Sequence, residues 1–216
     1  MIDKVEKRMK EILDQDKTGH DFPHSKRVFN LGMRIAEKEG GDKEIIGVSC
    51  LVHDAYRPFE TKELTHTSDY ALFFIQKRVL EYIGYPIEKI PAILEIVKYH
   101  EDYPFGVTGN RMKSPEGLIV QDADRLDAMG AIGIARCIKF TAAKGGEIYD
   151  PTVPLKPSKK YNPDIPNPSA IHHFPDKLLN LKKYMNTAEG KRLAEHRHDY
   201  MVAYLREFFA EWDGKL

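Results

Sequence analysis

A few imidazole and carboxylate side chains stand among apolar residues, where such groups are costly unless hydrogen-bonded, paired or bound to a cation. His24 falls in register with Val28, Leu31 and Ile35, at the spacing of a helix face turned to a core. His53-Asp54 closes the apolar run that carries Ile45, Ile46, Val48, Cys50, Leu51 and Val52. Asp122, Asp124 and Asp127 cluster at the start of a stretch otherwise rich in Ala, Gly, Ile and Met, and Asp124 shares a helical face with Ala128 and Ala131. Each feature has a plain structural explanation. His24 could be a satisfied core histidine, Asp54 a helix stop, and the acidic trio an exposed first turn favoured by the helix dipole. Together they describe a mixed nitrogen and oxygen donor set. That set suits Mn, Fe, Co, Ni or Zn better than an ion that seeks oxygen alone, with Mg admitted.

The stretches His20-Asp21-Phe22-Pro23-His24-Ser25-Lys26-Arg27-Val28, Leu51-Val52-His53-Asp54 and Ala123-Asp124-Arg125-Leu126 resemble the signature of the HD superfamily of metal-dependent phosphohydrolases. His172-His173-Phe174, Lys177-Leu178, Met185-Asn186-Thr187 and Ala194-Glu195-His196-Arg197 look like the C-terminal part of small bacterial members, some of which cleave nucleotides. The resemblance implies an all-α HD-domain bundle with a divalent metal on His24, His53, Asp54 and Asp124. It also selects Asp124 over Asp122 and Asp127. Some members hold two ions, with extra histidines between the doublet and the last aspartate; here His66 and His100 occupy that interval.

The activity implied is phosphoester or phosphoanhydride hydrolysis of a small phosphorylated substrate, a nucleotide by preference, by a metal-activated water. Many relatives carry an acidic residue soon after the doublet, whereas this chain has Arg57 there. Asp127, Glu60, Glu63 and Asp21 are therefore the candidates for proton transfer. Lys26, Arg27, Arg57, Lys177 and Arg197 are the candidates for phosphate contact. Two alternatives stay open: a di-iron oxygenase built with His66 and His100, and a non-catalytic HD signalling or binding module.

Helical periodicity dominates the elements that must position these groups. Val5, Met9, Ile12 and Leu13 form a first stripe; the His24 helix ends at Gly40-Gly41, and Asp42 caps its successor. Thr65 to Ser68 offers caps for a helix carrying Ala71, Phe74, Ile75, Val79 and Tyr82, and Ile90 to Val97 leads down to His100. Ser114-Pro115-Glu116 reads as a helix start, with the helix running from about Leu118 to Ala143. Six prolines between 151 and 168 forbid a regular element there, and helix returns over 175–212. We expect a single all-α domain over 1–216, with a metal-binding core at 18–143, a proline-rich loop at 145–170 that could cover the pocket, and C-terminal helices.

Lysine plus arginine equals aspartate plus glutamate at 33 each, which argues against bulk nucleic-acid or acidic-membrane binding. No apolar run approaches the roughly 20 residues of a membrane span. Only two cysteines occur, Cys50 and Cys137, both in apolar helical patterns, as expected in a reducing compartment. The sequence leads us to expect a cytoplasmic protein whose amphipathic helices could support a homodimer.

Overall fold

A computed structural model describes residues 1–14, 16–59, 69–107, 109–157, 160–162 and 165–216. Among them the chain is helical, with two isolated bridges, Gly106 to Tyr161 and Glu147 to Ser169, in place of any strand. The helices are α1 (Ile2–Leu13), α2 (Phe22–Glu39), α3 (Lys43–Val52), α4 (Asp69–Phe74), α5 (Ile90–Tyr99), α6 (Pro115–Asp127), α7 (Gly130–Ala143), α8 (His173–Asp176) and α9 (Ala188–Trp212).

Helix α3 is central because its sequence is apolar nearly all round, and Ile46 to Val52 are all buried. Its Ile46 and Cys50 join the larger core lobe with Val28, Ile35, Ala123, Leu126, Phe174 and Met201. Its Val48, Leu51 and Val52 join the smaller lobe with Val5, Met9, Ile75, Ile93 and Val97. Helix α2 packs against α3 and α6, so the N-terminal end of α2, the C-terminal end of α3 and the second half of α6 meet between the lobes. The α2–α3 approach depends on glycine: a Cβ on Gly32 would lie 2.6 Å from Cys50 Sγ, and one on Gly47 2.8 Å from Phe29 Cε2.

Two expected elements are corrected. The continuous helix from Leu118 to Ala143 is two helices, because Gly130 takes φ 71° and a Cβ on Gly133 would sit 2.3 Å from the Ala128 carbonyl. The helical face that joined Asp124 to Ala131 therefore does not continue past Ala128. The helix expected from Ala71 to Tyr82 begins as α4 and widens into a π-turn over Ile75–Leu80. Over 175–212, α8 leads into a 3-10 stretch, Leu178–Tyr184, and α9 starts afresh where Thr187 Oγ1 accepts from Gly190 N at 3.0 Å. The caps expected at 65–68 lie outside the described residues.

Candidate metal centre

Local sequence places each donor at a helix end. Asp21 caps α2, its carboxylate accepting from His24 N at 3.0 Å, and Pro23 follows in the first turn, so His24 faces inward from the start of the helix. His53 is the C-cap of α3 and Asp54 lies in the turn after it. Helix α6 is itself capped by Ser114 and brings Asp124 and Asp127 alongside.

These groups converge. His24 Nε2 lies 3.1 Å from His53 Nε2, 3.3 Å from Asp54 Oδ2 and 3.5 Å from Asp124 Oδ1. His53 Nε2 lies 3.4 Å and 3.8 Å from the same two oxygens. His24, His53 and Asp54 are buried, while Asp124 keeps 15 % of its side chain exposed and marks the open side.

The hydrogen bonds fix both ring tautomers. His24 Nδ1 is 2.7 Å from Asp127 Oδ2, and His53 Nδ1 is 2.8 Å from the Cys50 carbonyl oxygen. Asp127 works against its own burial, but the His24 and Arg27 hydrogen bonds and the nearby Arg136 hold its carboxyl well below the usual range, so it accepts. A carbonyl can only accept. Both Nδ1 atoms therefore donate, and each Nε2 presents a lone pair to the other. Two lone pairs at 3.1 Å between carboxylates require a cation, either a proton or a metal. The donor set thus fits a divalent metal. In the proton form, burial opposes the charge on His53, but Asp54 and Asp124 outweigh it and raise its pKa to about 9.

Further residues set the charge of the donors. Arg57 Nε donates to Asp54 Oδ1 at 3.0 Å and its Nη2 to Glu101 at 2.6 Å. Burial disfavours the Asp54 carboxylate, yet Arg57 and His53 hold its pKa well below the usual value. Asp127 takes two bonds from Arg27, at 2.8 and 3.0 Å, and lies 3.2 Å from Arg136.

Several expected site residues stand elsewhere. Asp21 serves the α2 cap and bonds Lys139 at 3.1 Å. Lys26 pairs with Glu6 on α1. Arg197 donates to the Leu126 carbonyl. Asp122 is buried and accepts from the Asn186 and Thr187 N–H groups at 2.8 and 2.7 Å, pinning the start of α9. Lys177 lies over the Tyr103 ring, 4.8 Å from its centroid. His100 is buried, bonds the Val97 carbonyl through Nδ1 at 2.6 Å and has its ring 5.1 Å from that of His53. With His53 and Asp54 it forms a second cluster able to hold a metal ion. His66, Glu60 and Glu63 lie outside the described residues.

Sequence reasoning missed Arg136, Glu101 and His20. His20, four residues before His24, has its ring 5.9 Å from that of His24, and burial followed by Arg57 holds its pKa well below the usual histidine value. Its only signal was the matching His-Asp-x-x-His stretch.

The HD domain model matches residues 22–129. YpgQ of Bacillus subtilis (strain 168) is 34 % identical over 203 residues, 94 % of this chain and 89 % of that protein. Its crystal structure in complex with ADP superposes with a TM-score of 0.72 at 32 % identity, covering 97 % of this chain and 94 % of that one. An HD-superfamily hydrolase from Bacillus thuringiensis gives 35 % identity and a TM-score of 0.72 over 98 % and 96 % of the two chains. A protein of known crystal structure from Lactobacillus plantarum gives 30 % identity and a TM-score of 0.83 over 99 % and 97 %.

Proposed function

The chain belongs to the HD domain family, and on that premise we propose that it is a metal-dependent phosphohydrolase acting on a small phosphorylated molecule, a nucleotide by preference. The observation that carries this reading is the pair of facing Nε2 atoms between two carboxylates. A divalent cation bound there supplies a water of lowered pKa and counters charge that develops on a phosphoryl oxygen.

This chain's own residues do the remaining work. Asp127 and the Cys50 carbonyl hold the two imidazoles as neutral donors facing inward. Arg57 keeps Asp54 ionised and ties it to Glu101. Asp124, the partly open ligand, faces the direction of substrate approach. In this reading Asp127 and Arg27 are supports for His24, as Arg197 is for the α6–α7 break. They do not transfer protons or bind phosphate. YpgQ has been crystallised with ADP, which favours a nucleotide for this chain too. The two buried free cysteines favour a reducing, cytoplasmic setting.

The cluster of His53, Asp54 and His100 supports a second ion that shares the doublet. Two irons per chain with oxygen uptake would move the reading to an oxidative reaction.

The test is a matrix of metals against phosphomonoesters, nucleotides and cyclic diesters. Metal-loaded wild type is expected to release phosphate or pyrophosphate from at least one class. His53→Ala and Asp54→Ala are expected to lose that release by about a hundredfold or more. A metal-loaded, folded protein inert towards every class contradicts the proposal.

A further inference from the structure

Residues 16–20 form a loop whose shape is set by one carboxylate. Asp16 Oδ1 accepts from the N–H groups of Thr18, Gly19 and His20 at 2.9, 3.1 and 3.0 Å. The Thr18 hydroxyl lies 3.0 Å from both oxygens of the same carboxylate and 2.9 Å from His20 Nδ1. A threonine hydroxyl has one proton and an ionised carboxylate can only accept, so that proton goes to Asp16. His20 Nδ1 must then donate to Thr18, which leaves the lone pair of the ring on Nε2. Among the described residues nothing donates to this nitrogen, and it is open to solvent.

Helix α7 fixes the loop from the other side. Arg136 Nε donates to the Gly19 carbonyl at 3.1 Å, and the Phe140 ring meets that of His20 edge-on, with centroids 5.7 Å apart. Gly19 makes the bend at φ 102°. The His20 ring so held stands edge-on to that of His24, 5.9 Å away, and is near enough to Asp54 and Arg57 for each to act on its charge. Burial and Arg57 outweigh Asp54 and keep the ring neutral. His20 belongs to neither group that could close on one ion, His24 with His53 and Asp124 or His53 with Asp54 and His100. A preset neutral acceptor beside a cation site, yet outside its ligands, suits a water molecule. Ionised phosphoryl oxygens carry only lone pairs, and Nε2 would repel them.

We propose that His20 is a catalytic residue of the hydrolysis, its Nε2 accepting a hydrogen bond from the attacking water and aiming the water oxygen at phosphorus. This rests on the phosphohydrolase reading and deepens it. The water oxygen forms the new bond to phosphorus, and the bond to the leaving oxygen breaks with its electron pair on that oxygen. The surplus proton of the water passes to solvent, from which the leaving oxygen is reprotonated. Nε2 keeps its lone pair throughout. Thr18, itself held by Asp16, is the positioning residue that sets the tautomer.

Nitrogen NMR of the zinc-loaded protein reads the tautomer. Wild type is expected to carry the His20 proton on Nδ1, and Thr18→Val to shift it towards Nε2. A His20 ring protonated on Nε2 in wild type overturns the role and leaves the phosphohydrolase reading standing. Kinetics follow, on a substrate class that the metal-loaded wild type hydrolyses. His20→Ala is expected to lower kcat about tenfold to a hundredfold, with KM, metal content and orthophosphate affinity close to wild type. His20→Gln, whose amide oxygen can accept, should recover part of that loss. Unchanged kcat in folded His20→Ala overturns the role alone. Loss of metal or orthophosphate binding in parallel with kcat shows a structural part and also overturns it. Wild type inert towards every class overturns the phosphohydrolase reading and this role with it.

Discussion

His24 Nε2 and His53 Nε2 face each other at 3.1 Å although each ring has already committed its Nδ1 proton to an acceptor. The relationship follows from where the helices start and stop. Asp21 and Pro23 begin α2 just ahead of His24, and α3 ends on His53, so two helix ends aim their imidazoles at one point. Neutral rings would repel there, and a shared cation turns the repulsion into binding.

Asp127→Asn should weaken metal binding about tenfold to a hundredfold, because an amide no longer demands the Nδ1 proton of His24 and leaves Arg27 and Arg136 without their shared counter-charge. Competition with a chromogenic chelator measures it. Wild-type affinity in the variant would show that Asp127 does not set the ring.

Asp122→Asn and Asp124→Asn should separate two neighbouring carboxylates by role. The first replaces one of the two oxygens that accept from the Asn186 and Thr187 N–H groups by an NH2 donor, and is expected to cost about 1–3 kcal/mol in denaturant unfolding while retaining metal. The second is expected to lose metal at little cost to the metal-free fold. The opposite pattern would exchange the two assignments.

Much of this was legible in the sequence, and the rest failed for physical reasons. Helix starts at Asp42 and Ser114 were readable because capping is a local hydrogen bond between a side chain and the next turn. The break at Ala128–Met129 was missed although Gly130 and Gly133 were in view, because apolar periodicity continued across it. The acidic trio could not be sorted by spacing. Asp122, Asp124 and Asp127 differ in what approaches from other helices, and a one-dimensional pattern carries no record of Asn186 or Arg136. His100 was named for a second ion from the resemblance, whereas its approach to His53 and Asp54 depends on how α3 and α5 pack.

Gly32→Ala tests the coupling of fold to site. The added methyl would meet Cys50 Sγ at 2.6 Å and Ile46 Cγ2 at 3.3 Å, pushing α2 from α3. We expect a loss of about 1–3 kcal/mol in stability and weaker metal binding, since His24 and His53 ride on these two helices. Undiminished stability would mean that the helices are free to separate.

Acid should destabilise the protein partly through His173. Burial, then Lys177, lowers its folded pKa to about 3, against 6.5 for the free side chain. Between those values the unfolded chain binds a proton that the folded ring refuses, so stability falls as pH falls through this window. The contribution is at most about 1.4 kcal/mol per pH unit. In metal-free protein, His173→Gln should show a shallower slope of stability against pH from 6.5 towards 3. Identical slopes would remove His173 from the account.

Anomalous diffraction from crystals grown with a transition metal shows whether a cation sits between the two imidazoles. A peak is expected roughly 2.0–2.2 Å from the Nε2 atoms of both His24 and His53, flanked by carboxylate oxygens of Asp54 and Asp124. Ordered imidazoles in this same arrangement with no anomalous peak between them, at saturating metal, would contradict it.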